Sequence, residues 1–221
     1  MSRIVLITGA SRGIGLELCR QYHDKGDRVI AVCRQSTDTL RELGVKIIEN
    51  VDVTSAEDCH SLHDALHDEY VDILINNAGV LHSETLNSLD FENIMQQFQV
   101  NAVAPLRITS SLLDKLRAGS KVIMITSRMG SIEDNTSGGY YGYRMSKAAL
   151  NMAGMSLAND LRQRKIAVGL IHPGFVSTRM TGYGGLIEPN ESASNIIESI
   201  DRVSMENSGI FLHAEGQELP W

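Results

Sequence analysis

Short apolar runs and longer amphipathic stretches alternate along this chain. Runs that read as buried strands cover residues 3–7, 28–32, 45–50, 72–76, 121–126, 166–171 and 209–212. Between them, apolar residues recur at the helical period over residues 14–25, 55–69, 90–116, 143–164 and 190–204, with a weaker stretch at 37–43. Alternation of this kind predicts an α/β fold: right-handed crossovers building a doubly wound parallel sheet of about seven strands, helices on both faces. Ligands bind such sheets at the carboxyl ends of the strands. Asn76, Ser127 and the turn at Pro173 all fall at those ends, which predicts one shared cleft.

A length of 221 residues with 43% hydrophobic content suits one domain spanning residues 1–221, with a substantial core. No apolar stretch reaches the roughly 20 residues of a membrane span. The first residues enter a strand without the features of a signal peptide. A net charge of −7 argues against a nucleic-acid surface, which needs a basic stripe. Cys19, Cys33 and Cys59 are odd in number and sit inside element patterns, so they read as reduced thiols of a cytoplasmic protein. His60, His63 and His67 share a helical face with Asp64, but no further ligand is evident, and we read a solvated face and no metal site. Met145, Met152 and Met155 recur at helical spacing and read as packing positions.

The first strand leads straight into Thr8-Gly9-Ala10-Ser11-Arg12-Gly13-Ile14-Gly15 and then into an amphipathic helix. Strand, glycine-rich turn and helix in that order give a glycine motif its meaning. Gly9 allows the tight turn, Gly13 lets the backbone approach a pyrophosphate, and Gly15 permits close helix packing. Ser11, Arg12 and Ile14 lie in the same turn, where phosphates would meet the free N–H groups of the helix start. This is the dinucleotide cradle of a Rossmann-type domain. The second strand ends Ala31-Val32-Cys33-Arg34, with no carboxylate to bind a ribose 2′-hydroxyl. Arg34, with Arg12, instead suits a 2′-phosphate, because guanidinium offers a bidentate fork. The expected cofactor is NADP(H).

Tyr143 and Lys147 stand one helical turn apart, on the same face. A phenol with its ordinary pKa of about 10 is a poor acid or base at neutral pH. An ammonium ~4 Å away, at an effective dielectric of ~20, contributes roughly 4 kcal/mol toward the phenolate. Such a tyrosine can protonate a carbonyl oxygen or deprotonate an alcohol.

These motifs together, with Asn76-Asn77-Ala78-Gly79, Asn101, Ser127 and Pro173-Gly174, resemble the short-chain dehydrogenase/reductase family over nearly the whole chain. Ser127-Arg128-Met129-Gly130-Ser131-Ile132, Asn135-Thr136-Ser137-Gly138-Gly139 and Leu219-Pro220-Trp221 look like its C-factor-like and sniffer-type carbonyl reductase branch. The resemblance implies a proton relay: Tyr143 as acid, Lys147 beside it and on the nicotinamide ribose, Ser127 orienting the carbonyl, Asn101 fixing a water-linked path to Lys147. It places Asp52 and Val53 by the adenine, Asn77, Ala78 and Gly79 by the ribose, Val176 at the carboxamide and Thr178 near the phosphates, with Pro173 and Gly174 shaping the nicotinamide site. Asp52 reads equally as a cap of the helix that follows. Pro105, near Asn101, removes a helical hydrogen bond and can kink that helix, which could free the Asn101 backbone for the water.

Two rivals remain in the site. Ser131 competes with Ser127, since the spacing from Ser127 to Tyr143 is wider than usual in the family; a loop over 131–139 absorbs the difference, and Ser127 directly follows its strand. Tyr140 and Tyr141 have Arg144 and Met145 as their i+4 partners, so neither pairs with a lysine. His172 reads as structural. Trp221 either anchors the C-terminal end or closes the substrate pocket. A short glycine-rich lid over 179–189 would place Met180, Tyr183 and Leu186 at the pocket mouth. The resemblance further implies a homodimer or homotetramer built on the 90–116 and 143–164 helices. The expected activity is NADPH-dependent reduction of aldehydes, ketones or quinones, reversible to alcohol oxidation. The alternative is an NADP(H)-binding signalling or regulatory protein with incidental turnover.

Overall fold

Val5, Leu6 and Ile7 are completely buried, yet they serve opposite faces of one sheet. The computed structural model describes residues 2–221. Seven strands, β1 (Ile4–Thr8), β2 (Arg28–Val32), β3 (Lys46–Ile48), β4 (Val71–Asn76), β5 (Leu116–Ile125), β6 (Ala167–His172) and β7 (Ile210–His213), form this sheet. Their order is β3-β2-β1-β4-β5-β6-β7, and every pairing is parallel. The chain therefore winds outward from β1 to β3, returns to β4, and winds outward again. That reversal leaves a crevice beyond the ends of β1 and β4, where ligands of doubly wound sheets bind.

The helices are α1 (Gly13–Asp24), α2 (Asp38–Glu42), α3 (Ala56–Ala65), α4 (Phe91–Phe98), α5 (Ala104–Ser111), α6 (Tyr141–Asp160) and α7 (Pro189–Arg202). Alternation along the strands divides the core into two layers. Val5, Ile7, Val29 and Ala31 pack under Leu18, Tyr22, Ile196 and Ile200 of α1 and α7. Leu6, Ile30, Leu74 and Val122 pack on the other face, under Leu62, Ile108 and Leu150 of α3, α5 and α6.

The pattern over 90–116 does not form one helix. It gives α4, a π turn over Gln99–Val103, and α5, and Leu116 already belongs to β5. The cause is local: Pro105 has no N–H to offer the carbonyl four residues earlier, so the α-helical ladder cannot pass through Asn101. Elsewhere the predicted elements lie within about five residues of the observed ones: the helix over 55–69 already ends at Ala65, the third strand is halved to Lys46–Ile48, and the fifth strand starts five residues early, at Leu116. Met145 and Met152 are exposed, whereas Met155 packs against Gly209.

Candidate active site

The glycine turn is built by crowding. Gly9 and Gly13 have φ of +67° and +55°, a left-handed conformation that favours glycine. A Cβ at Gly15 would stand 2.3 Å from the Gly9 carbonyl oxygen, and one at Gly9 would stand 2.8 Å from Ala78 Cα. The turn is thus pressed against the end of β4. Asn77 fastens it, donating from Nδ2 to the carbonyls of Thr8 (2.9 Å) and Gly9 (3.2 Å). The Asn77 side chain is therefore engaged with the turn. The hydroxyl of Thr8 accepts from Asn77 N–H and Ala78 N–H.

The start of α1 carries neither a side-chain cap nor an acidic residue in its first turn, so its N–H groups face the crevice uncompensated. Thr178, on the segment after β6, sits over Gly13, with its Cγ2 3.4 Å from where a Cβ would lie. Arg12 and Arg34 are both exposed, and neither pairs with a carboxylate at ion-pair distance among the described residues. Asp52 accepts from Thr54 N–H (2.9 Å) and hydroxyl (2.7 Å), in the turn before α3, and the cap of that helix is Ser55, which accepts from Asp58 N–H, rather than Asp52. The Thr54 bonds, with Arg34 nearby, hold the Asp52 carboxyl below the usual range. A narrow, backbone-lined turn, a bare helix start and two free guanidiniums fit a phosphorylated dinucleotide.

Beside this cradle, Tyr143 and Lys147 project from the first half of α6 and are both buried. The Lys147 ammonium lies 5.7 Å from the centre of the Tyr143 ring and donates to the Ile125 carbonyl at 2.9 Å. It does not draw the phenol down as the spacing suggested. Burial pushes Tyr143 up to about 12, and the neighbouring Ser127 hydroxyl offsets part of that rise. Burial likewise pulls Lys147 down to about 8. The reason is that withdrawal from water disfavours both charged forms, and the ammonium gives up its proton before the phenol does.

Ser127 leaves β5 in extended conformation and accepts from Met129 N–H at 3.1 Å. The Ser131 hydroxyl, its rival, is spent elsewhere: it donates to the Trp221 main-chain oxygen and accepts from Asp134 N–H, both at 3.1 Å. Gly130 lies so close to α6 that a Cβ would meet the Lys147 backbone at 2.8 Å. Asn101, in the π turn, accepts from Val80 N–H (2.8 Å) and donates to Val80 O (2.9 Å) and Ser146 Oγ (3.0 Å). Both ends of its side chain are engaged, which turns the relay toward its backbone. His172, at the end of β6, is held down to about 3 by burial, with the cations and His213 nearby adding to this, and its Nδ1 has no partner.

Two residues of this region carried no earlier weight. Ser146 links Asn101 to the Tyr143 carbonyl, donating to it at 2.8 Å; its signal was a small polar residue on the buried face of the helix. Glu84 is a buried carboxylate that accepts from Gln97 Nε2 at 2.6 Å and from Gly142 N–H at 3.2 Å, at the start of α6. Nothing in its loop sequence marks it. Met180, Tyr183 and Leu186 lie exposed on the lid after β6. Among the described residues, no group of three or more His, Cys, Asp or Glu is disposed to hold a metal.

The chain belongs to the short chain dehydrogenase family, whose profile matches residues 3–185, and it is an oxidoreductase. It is similar to 1-hydroxy-2-glutathionyl-2-methyl-3-butene dehydrogenase of Rhodococcus sp. (strain AD45), with 40% identity over 98% of this chain and 99% of the relative. It is also similar to C-signal of Myxococcus xanthus, with 45% identity over 68% of this chain and 93% of the relative. Among solved structures, the carbonyl reductase Sniffer of D. melanogaster matches with a TM-score of 0.92 and 28% identity, covering 100% of both chains. The NADPH-bound carbonyl reductase from chicken fatty liver matches with a TM-score of 0.89 and 28% identity, over 100% of this chain and 99% of that one.

Proposed function

We propose that this protein is an NADPH-dependent carbonyl reductase for aldehydes, ketones or quinones, reversible to alcohol oxidation. The observation that carries this reading is the clustering of Tyr143, Lys147 and Ser127 beyond the carboxyl end of β5, tied through Ser146 and Asn101 to the segment after β4 that crowds the glycine turn. Gly9, Ser11, Gly13, Ile14 and Gly15 would hold the pyrophosphate, with Thr178 over it. Arg12 and Arg34 would take the 2′-phosphate, Asp52 and Val53 the adenine, and Asn77, Ala78 and Gly79 would border the ribose. Pro173, Gly174 and Val176 would shape the nicotinamide site, and Lys147 would reach its ribose. Bound there, NADPH supplies the hydride.

Every other part of the reaction falls to the chain. Ser127 donates a hydrogen bond to the substrate carbonyl and stabilises charge developing on its oxygen. Tyr143, kept protonated by burial, gives that oxygen its proton. Lys147 restores the proton along a path that reaches water through the Asn101 backbone. The short lid, with Met180, Tyr183 and Leu186, presents apolar surface to a substrate of modest size. The Rhodococcus relative, named as a dehydrogenase of a hydroxylated compound, supports alcohol–carbonyl chemistry. Residence in the cytoplasm fits the three free, buried cysteines. Assembly as a homodimer or homotetramer fits the exposed Phe91, Met95, Met145 and Met152 on α4 and α6.

NADPH oxidation followed by absorbance, over a panel of aldehydes, ketones and quinones, tests this reading. Tyr143→Phe should lose roughly 10²–10⁴-fold in turnover while still binding NADPH. Identity with C-signal favours a second reading, an NADP(H)-binding signalling protein with incidental turnover. Tight NADPH binding without turnover on any carbonyl would decide for it.

A further inference from the structure

The main-chain oxygen of Trp221 accepts three hydrogen bonds from one loop: Ile132 N–H at 3.1 Å, Glu133 N–H at 2.9 Å and Ser131 Oγ at 3.1 Å. That loop begins at Ser127. Trp221 is in turn fixed to the sheet. The segment before it folds back along β7, with Leu219 N–H donating to Phe211 O at 2.9 Å and His213 N–H to Gln217 O at 2.8 Å. The Trp221 ring packs at a tilt of 36° against Phe211, the centroids 5.2 Å apart. Trp221 is nonetheless 46% exposed, so burial is not the main product of this arrangement.

What the strap holds is the loop. Ser131 is 3% exposed, and its hydroxyl donates to Trp221 and accepts from Asp134 N–H. Asp134 also pairs with Arg128, closing the loop on itself. One residue before Ser131, Gly130 presses on the backbone of Lys147, and Asn151 Nδ2 reaches its carbonyl at 3.4 Å. Four residues before Ser131, Ser127 faces Tyr143. A continuous run of contacts thus joins the edge of the sheet to both ends of the Tyr143–Lys147 turn. Removal of this acceptor would leave the buried Ser131 O–H without an acceptor and hand the exposed Ile132 and Glu133 N–H groups to water, so the loop would lose all three of its ties to the sheet edge.

We infer that Trp221 is a positioning residue for the reduction, holding Ser127 on the carbonyl through its main-chain oxygen rather than through its ring. This rests on the reading of Ser127 as the hydrogen-bond donor of a carbonyl reductase. Neither Ser131 nor Trp221 need touch substrate for the effect; displacement of Ser127 by a fraction of its hydrogen-bond length is enough.

Three variants test it in the full protein with NADPH and the best carbonyl of the panel. A chain ending at Pro220 should lose roughly tenfold or more in kcat. Its Kd for NADPH should stay within about twofold, since the cradle lies on other elements. Trp221→Ala keeps the oxygen and should lose less than the truncated chain. Ser131→Ala removes one donor and should lose a few-fold, so it decides the matter if the truncated chain does not fold. In a Ser127→Ala background, truncation or Ser131→Ala should lower kcat no further, because the group being positioned is gone. Full kcat in a folded truncated chain, or in Ser131→Ala if the truncated chain does not fold, overturns the inference. So does a loss of kcat that adds in full to that of Ser127→Ala. Absence of turnover in the unaltered protein would instead overturn the reading of the site.

Discussion

Pro105 stands four residues after Asn101, the position whose N–H would bond the Asn101 carbonyl in an unbroken α-helix. The helix responds by widening into the π turn over Gln99–Val103, and Asn101 is buried within it. Side-chain bonds to Val80 and Ser146 then lock the asparagine between β4 and α6. A missing donor in one helix is thereby placed beside the helix that carries Tyr143 and Lys147.

Replacing that proline should separate stability from activity. Pro105→Ala restores an N–H and lets an ordinary α-helical bond form to Asn101. We expect an unchanged or raised melting temperature together with a kcat lower by roughly tenfold, since the relay loses its backbone acceptor. Thermal unfolding by circular dichroism and steady-state kinetics check the two halves; full activity in a stabilised variant would dismiss the role given to Asn101.

Cofactor choice should turn on Arg34. Its guanidinium is exposed and, among the described residues, pairs with no carboxylate; Arg34→Ala should weaken NADPH by roughly 10- to 100-fold, the loss of a charged hydrogen bond. NADH, which has no 2′-phosphate, should be nearly unaffected. Titration of both cofactors by fluorescence provides the comparison, and equal losses would refute the 2′-phosphate assignment.

The pH dependence should follow the lysine. Lys147, held down to about 8, is an ammonium below that pH and neutral above it. Reduction that draws on its proton should keep a constant kcat/KM for NADPH below pH about 8 and decline above it. Lys147→Arg, whose side chain keeps its proton, should remove the break at a lower overall rate. A profile of the unaltered enzyme that stays flat through pH 9 would exclude this proton route.

Acid should weaken the fold through His172. The imidazole titrates near 6.5 when unfolded and is held down to about 3 in the fold, so its contribution is fully present above 6.5. Between 6.5 and 3 the unfolded chain binds a proton that the native state refuses, and stability falls by about 1.4 kcal/mol per pH unit. Urea unfolding at pH 7 and pH 5 should show this loss, reduced in His172→Asn. Parallel losses in both proteins would assign acid sensitivity to other groups.

The sequence alone determined the doubly wound sheet, because buried strands and amphipathic helices carry their periods locally, and a glycine that must turn or be approached can be recognised without its neighbours. Tyr143, Lys147, Ser127 and the glycine turn are therefore assigned to one cleft by the order of elements alone. How those groups are tuned depends on packing between distant segments. The sign of the Tyr143 shift came from burial, which competes with the nearby charge and depends on what α6 packs against. The engagement of the Ser131 hydroxyl came from Trp221, ninety residues away from Ser131 in the chain. Glu84 and Ser146 entered for the same reason: a side chain's partners across the fold leave no periodic trace in the residues beside it.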